Sequence, residues 1–223
     1  MACNCKNKNQ TENSVVKDKF LSDYIVCVDS GHGKDVVGKK SPDGRLMEWG
    51  WTREIKYRVI EKLMDEKIAD CFDVNPEENE PGLTVRAKRA NEVWTSNNKK
   101  AIFVSIHVNA AGKGGWGTAN YWSIWTSPGK TEADTLADCI WEQAYNIFKE
   151  KELKVNKGGY SYGKSYENSF TVLTKTKMPA VLVENFFQDN ETAVDYLLSD
   201  EGKDDVVNVI TYGIKDYLAG VAE

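Results

Sequence analysis

The sequence predicts a single α/β domain: a twisted, mostly parallel or mixed sheet of about six strands with helices on both faces. Three observations carry this. Continuous apolar runs at 24–30, 101–108 and 179–187 read as strands buried on both faces. Stretches of helical periodicity separate them, and such alternation means βαβ units with parallel pairing. Within the 223 residues no internal repeat, linker or compositional break appears, so one domain over 18–223 is expected, preceded by a disordered polar tail over 1–17.

The elements follow in order. YIVCVDS (24–30) is the first strand, and the loop GHGKDVVGKKSPDGR leaves it. Residues 46–68 form a helix, with Ile55, Val59, Ile60, Leu63 and Met64 at helical spacing. A strand at 71–74 ends in the acidic loop PEENEPG. The segment 83–97 reads as a helix with Thr84 as its N-cap and basic residues on one face. AIFVSIHV (101–108) is a second buried strand, AAGKGGWGT a glycine-rich loop, and ANYWSIW (119–125) a third strand. Residues 131–151 form a helix whose acidic start and basic end suit its dipole. A loop, a short strand at 170–173, the strand PAVLVENFF (179–187), and helices at 190–198 and 203–218 complete the chain.

Composition narrows the function. A formal net charge of −5 argues against nucleic-acid binding, which leaves a basic footprint. No stretch approaches the roughly 20 apolar residues of a membrane span, so no membrane insertion is expected. The head MACNCKNKNQTENS lacks the apolar core of a signal peptide, which points to synthesis in the cytoplasm. Cys3, Cys5, Cys27, Cys71 and Cys139 are odd in number and irregular in spacing, so free thiols are expected rather than a disulfide framework.

Only two histidines occur, each where an apolar run passes into a loop: His32 after IVCVDS and His107 at the end of AIFVSI. Adjacent strands bring such positions to one sheet edge, where open α/β sheets place their sites. Catalytic zinc takes three protein ligands and leaves a position for water. Glu48, at the start of the first long helix, is the candidate third ligand. Taken alone, Glu48 is better explained as an acid at the positive end of its helix. Glu184 interrupts AVLVENFF, where a carboxylate is costly unless paired, metal-bound or protonated. A salt bridge to a covering helix would explain it. General-base work is preferred, because three strand termini then deliver His32, His107 and Glu184 together.

In their order and spacing, VDSGHG, the helix start at Glu48, RAKRAN, VSIHVNA, GTANYW and MPAVLVENFFQDN resemble the zinc-dependent N-acetylmuramoyl-L-alanine amidases of the amidase-3 type, over about 23–218. SPDGRLMEWGWTREI followed by PEENEPGLTVRAKRAN is similar to members from bacteriophages and gut bacteria. The resemblance implies that 18–223 is a catalytic domain, that His32, Glu48 and His107 bind Zn2+, and that Glu184 is catalytic. It implies hydrolysis of the amide between N-acetylmuramic acid and L-alanine in peptidoglycan. Two departures stand out: the family commonly has Pro at Ser30, and a small or apolar residue then Gly where this chain has Asn185 and Phe186.

Other residues carry expectations of their own. Asp29 is read as orienting His32 through its second nitrogen, or as a turn cap. Asn109 is read as a support for His107, and Arg86 and Arg89 as packing and salt-bridge residues. Arg86 is also a candidate contact for a substrate carboxylate. Some family members plug the site with an acidic helix near 155–169. Here that segment carries Lys157 and Lys164 and is unsuited to plugging. An open groove is therefore expected, with Tyr160, Tyr162 and Tyr166 as stem-peptide contacts; a mobile surface loop is the alternative.

Competing functions are a zinc carboxypeptidase acting on wall peptides and a non-catalytic peptidoglycan-binding module. The first is disfavoured because HGKD offers only Asp35 beside His32, and the second because all four site residues are present. No export signal or wall-binding domain is visible. A monomeric phage endolysin that reaches the wall with a holin-type partner fits this pattern, as does a bacterial amidase lacking its leader.

Overall fold

β1 (Ile25–Ser30), β3 (Ala101–Asn109) and β6 (Ala180–Phe187) are the three apolar runs, side by side and parallel. Around them, in this computed structural model, lie β2 (Asp70–Asp73), β4 (Ser123–Thr126) and β5 (Tyr166–Glu167), giving the order β2-β1-β3-β6-β4-β5. β4 runs antiparallel to β6, so the sheet is mixed. The structure describes residues 20–112 and 114–221; the tail expected over 1–17, with Cys3 and Cys5, lies outside them. Among the described residues, Cys27, Cys71 and Cys139 are free thiols, and no helix is long and apolar enough to cross a membrane.

Alternation along the strands divides the core in two. On one face Val26, Val28, Ile102, Val104, Ile106, Val181 and Val183 meet α1 (Glu48–Asp65), α3 (Glu132–Lys149), α5 (Glu191–Leu198) and α6 (Asp200–Val221). Gly213 allows α6 to lie against α3, since a Cβ there would stand 2.4 Å from Ile140 Cα. On the other face Cys27, Phe103 and Leu182 pack under α2 (Leu83–Ser96) and α4 (Thr171–Thr174). Continuing that second face towards the carboxyl ends of the strands gives Asp29, Ser105, His107 and Glu184. Cross-strand register sets Asp29 opposite Ser105 and His107 opposite Glu184.

Three local expectations need correction. Residues 170–173 are not a strand: Thr171–Thr174 is a single helical turn, with the Thr174 and Thr176 hydroxyls bonded back to the Phe170 and Val172 carbonyls. A four-residue apolar run cannot distinguish the two forms. The edge strand lies earlier, at Tyr166–Glu167, in a segment read as loop. Thr84 is not an N-cap; Gly82, at φ +92, precedes α2, and its amide is held by the Glu80 carboxylate.

Candidate active site

The turn after β1 is built to hold His32 against the end of β3. Gly31 N–H donates to the Ile106 carbonyl, extending the ladder by one bond. A Cβ on Gly31 would stand 2.7 Å from His107 Nδ1 and 3.1 Å from Glu48 Oε1, so glycine is the residue that leaves both side chains in place. His32 then adopts left-handed backbone, φ +54, a conformation that clusters at functional sites. Its carbonyl is held by Arg53 Nη1 at 2.8 Å. On Gly33 a Cβ would meet the Glu80 amide nitrogen at 2.0 Å, because the acidic loop closes over the turn there.

Glu48 arrives from the other core face. Residues 33–47 double back, with Ser41 N–H bonded to the Leu46 carbonyl and Glu48 N–H to the Lys39 carbonyl. The carboxylate is 1% exposed, and its Oε1 accepts from the Val108 amide at 3.1 Å. It also faces both imidazoles: Glu48 Oε1 is 3.3 Å from His107 Nδ1, and Oε2 is 3.6 Å from His32 Nε2. The rings meet edge to face, 5.2 Å between centres.

This set suits a metal ion. One ligand atom from each of His32, Glu48 and His107 falls within 4.8 Å of the others. Bonds of roughly 2.0–2.1 Å at tetrahedral angles set neighbouring ligand atoms roughly 3.4 Å apart, close to the two histidine–carboxylate distances. Glu48 Oε2 is buried with no hydrogen-bond partner, as is Glu184 Oε2. Burial pulls His32 down to about 4, despite the charge of Glu48, so its ring is neutral near neutral pH. For His107 burial pulls the same way, but the hydrogen bond its protonated ring gives to Glu48 and the charges of Glu184 and Glu48 leave it raised. For Glu48 burial pushes up, while His107 and His32 bring it below the usual carboxylate value. Glu48 between two imidazoles, with Glu184 across from His107, makes a place for positive charge.

Glu184 lies opposite His107 across the β3–β6 ladder. Burial, then the charge of Glu48, pushes it up to about 7, against His107 and Lys39. Just beyond it the ladder is bulged: His107 pairs with Glu184, but Asn109 pairs with Phe187. The extra residue turns Phe186 to left-handed backbone, φ +56, and into the larger core against Phe148 and Tyr196. Phe186 therefore stands, as an aromatic, in a conformation that favours glycine. Asn185 fills the other side of the bulge. It accepts from Trp122 Nε1 at 3.1 Å and donates to the His107 carbonyl at 2.9 Å.

The remaining expected residues are placed as follows. Asp29 does not bond His32; its oxygens accept from Arg86 Nη1 and from Ser105 Oγ. The strand directs it to the face it shares with Ser105, while the left-handed turn carries His32 elsewhere. Arg86 is 1% exposed and bonded to Asp29, the Ser30 carbonyl and both oxygens of Glu80, so no part of it is free for a substrate carboxylate. Arg89 pairs with Glu77. Asn109 bonds the following amide, Ala110 N–H, rather than His107. Tyr162 donates to Glu167, Tyr166 stacks on Trp125, and Tyr160 stacks on Tyr162 with 43% of its surface exposed. Sequence reasoning passed over Ser105, whose Oγ lies 3.1 Å from His107 Nε2. Its signal was a polar residue two before His107 in a buried strand.

Beside the cluster, the loops leaving β1, β3 and β6 enclose a groove of about 410 Å³, lined by residues such as Lys39, Lys40, Gly112 and Gln188. Asp189 fixes one wall by accepting from the Ala111 and Gly112 amides.

Comparison with known proteins agrees with this geometry. The protein YqiI of Bacillus subtilis strain 168 is 27% identical over 192 residues, 86% of this chain and 84% of that protein. The endolysin of Bacillus phage SPP1 is 28% identical over 206 residues, and the match spans 87% of this chain but 66% of the endolysin. An N-acetylmuramoyl-L-alanine amidase structure from Clostridium difficile 630 superposes with a TM-score of 0.72 at 25% identity, covering 87% of this chain and 96% of that one. Residues 26–216 match the Amidase_3 family model, and the chain belongs to this family of N-acetylmuramoyl-L-alanine amidases.

Proposed function

We propose that the chain cleaves peptidoglycan by a zinc-dependent route, with His32, Glu48 and His107 as ligands and Glu184 as proton carrier. The reaction is that of the family: hydrolysis of the amide joining the lactyl group of N-acetylmuramic acid to L-alanine. One observation carries the reading. Two buried carboxylates, each with an oxygen that makes no hydrogen bond, meet at His107, and Glu48 faces His32 as well. Two imidazoles and a carboxylate favour zinc among the divalent metals.

When bound, zinc lowers the pKa of a water and polarises the scissile carbonyl. The protein's own groups do the rest. Glu48 and the rings are held by backbone and strand register, so the ligand set needs little rearrangement. Glu184 Oε2 takes the proton of the attacking water and delivers it to the alanine nitrogen as the amide breaks. Burial suits it to both steps, since its affinity for a proton lies near neutrality. The groove beside the cluster would seat the peptide stem.

A lytic role with a holin-type partner rests on the likeness to the SPP1 endolysin. Purified sacculi test the reaction. Clearing should stop on chelation, return on adding zinc, and be lost in Glu184→Ala; clearing that survives chelation would overturn the zinc-dependent reading.

A further inference from the structure

Ser105 is not a metal donor, yet its bonds determine how His107 presents itself. The side chain is fully buried on β3, two residues before His107 and on the same face. Its Oγ lies 2.6 Å from Asp29 Oδ2 and 3.1 Å from His107 Nε2. Asp29 is held from behind by Arg86 Nη1 at 2.8 Å, and both members of that pair are 1% exposed. An ionised carboxylate can only accept, so the single hydroxyl proton of Ser105 goes to Asp29. Towards His107 the oxygen offers only a lone pair. His107 Nε2 must therefore carry the hydrogen, and in the neutral ring Nδ1 is left bare. Nδ1 is the nitrogen that faces Glu48.

We propose that Ser105, backed by Asp29 and Arg86, is a positioning residue that fixes the tautomer and rotation of His107 so that Nδ1 meets the metal. The inference rests on the zinc reading above. A rival explanation exists: a buried ion pair and a buried hydroxyl simply satisfying one another as part of the fold. The two differ in what they do to metal affinity. Losing a group that orients a ligand weakens metal binding about 10–100-fold. Losing a merely structural bond destabilises the metal-free and metal-loaded protein alike.

The test uses the full chain as wild type, Ser105→Ala and Ser105→Thr. Zinc affinity is measured by competition with a chromophoric chelator, and melting temperature with and without zinc. Ser105→Ala is expected to weaken zinc binding about 10–100-fold and to shrink the zinc-induced rise in melting temperature. Ser105→Thr, which keeps the hydroxyl, is expected to restore most of the affinity. Equal losses of melting temperature in both states, with zinc affinity unchanged, would overturn the proposal. Nitrogen-15 NMR of the zinc-loaded wild type gives a readout that needs no variant, and two histidines make its assignment simple. A proton on His107 Nε2 with zinc on Nδ1 supports the proposal; the reverse arrangement overturns it. Should the wild type take up no zinc at all, the zinc reading itself falls and this inference falls with it.

Discussion

Gly31→Ala is the sharpest steric probe of the site. The added Cβ would stand 2.7 Å from His107 Nδ1, 2.9 Å from its Cε1 and 3.1 Å from Glu48 Oε1, whereas real Cβ atoms essentially never approach within 3.0 Å. The backbone cannot easily retreat, because Gly31 N–H is bonded to Ile106 and its carbonyl accepts from the Thr52 hydroxyl. Relief must come from the imidazole, which is 15% exposed and can swing outward. Metal sites tolerate donor displacements of about 0.2 Å, and clearing the overlap needs at least 0.3 Å even to reach the 3.0 Å limit. Zinc affinity should therefore fall by at least about 10-fold, on the scale of damage to ligand orientation. Gly31 is not among the positive-φ glycines, so the fold should tolerate alanine there. Chelator competition reads the affinity, and circular dichroism the fold. Gly31→Ala protein that binds zinc as tightly as wild type would refute the reasoning.

Four further outcomes follow from the same geometry. Glu184→Gln should keep its fold and zinc yet lose about 10²–10⁴ in kcat, because an amide cannot take the proton; comparable kcat would refute that role. Burial raises Glu184 to about 7 and a nearby dication draws it down, so wild-type kcat should fall with acid through a limb at or below that pH, and a limb well above it would contradict the assignment. Phe186→Gly relieves about 1–2 kcal/mol of left-handed strain but removes a buried ring worth about 3–5 kcal/mol. The loss wins, and calorimetry should show melting lowered by roughly 5–15 °C; a rise would mean that strain dominates. Arg86→Met leaves Asp29 buried without its partner and should cost about 3–5 kcal/mol, seen as a lower denaturation midpoint; an unchanged midpoint with a raised KM would restore Arg86 to the substrate.

What was legible in the chain follows from what each residue type must do locally. Strands β1, β3 and β6 announce themselves as apolar runs, and His32, His107 and Glu184 stand out by interrupting or ending them. Glu48 needed its resemblance to known sequences, since an acid at a helix start is ordinary, and only the doubled-back loop brings it to the rings. Ser105 has only a weak signal, a lone serine two residues before His107 in a buried strand, until register sets it opposite Asp29. Asp29 bonds neither histidine, for a related reason. Nearness in sequence suggested His32, but strand alternation commits Asp29 to the face shared with Ser105 and His107. The bulge at Phe186 had no signal in its own side chain, which favours ordinary strand geometry.

The central claim is best tested by digesting a defined muramoyl peptide in water enriched in oxygen-18 and weighing the products. One heavy oxygen in the lactyl carboxylate of N-acetylmuramic acid, with a free L-alanine amino terminus on an unlabelled peptide, is the predicted result. Heavy oxygen in the peptide, with release of D-alanine and the muramoyl amide left intact, would contradict it.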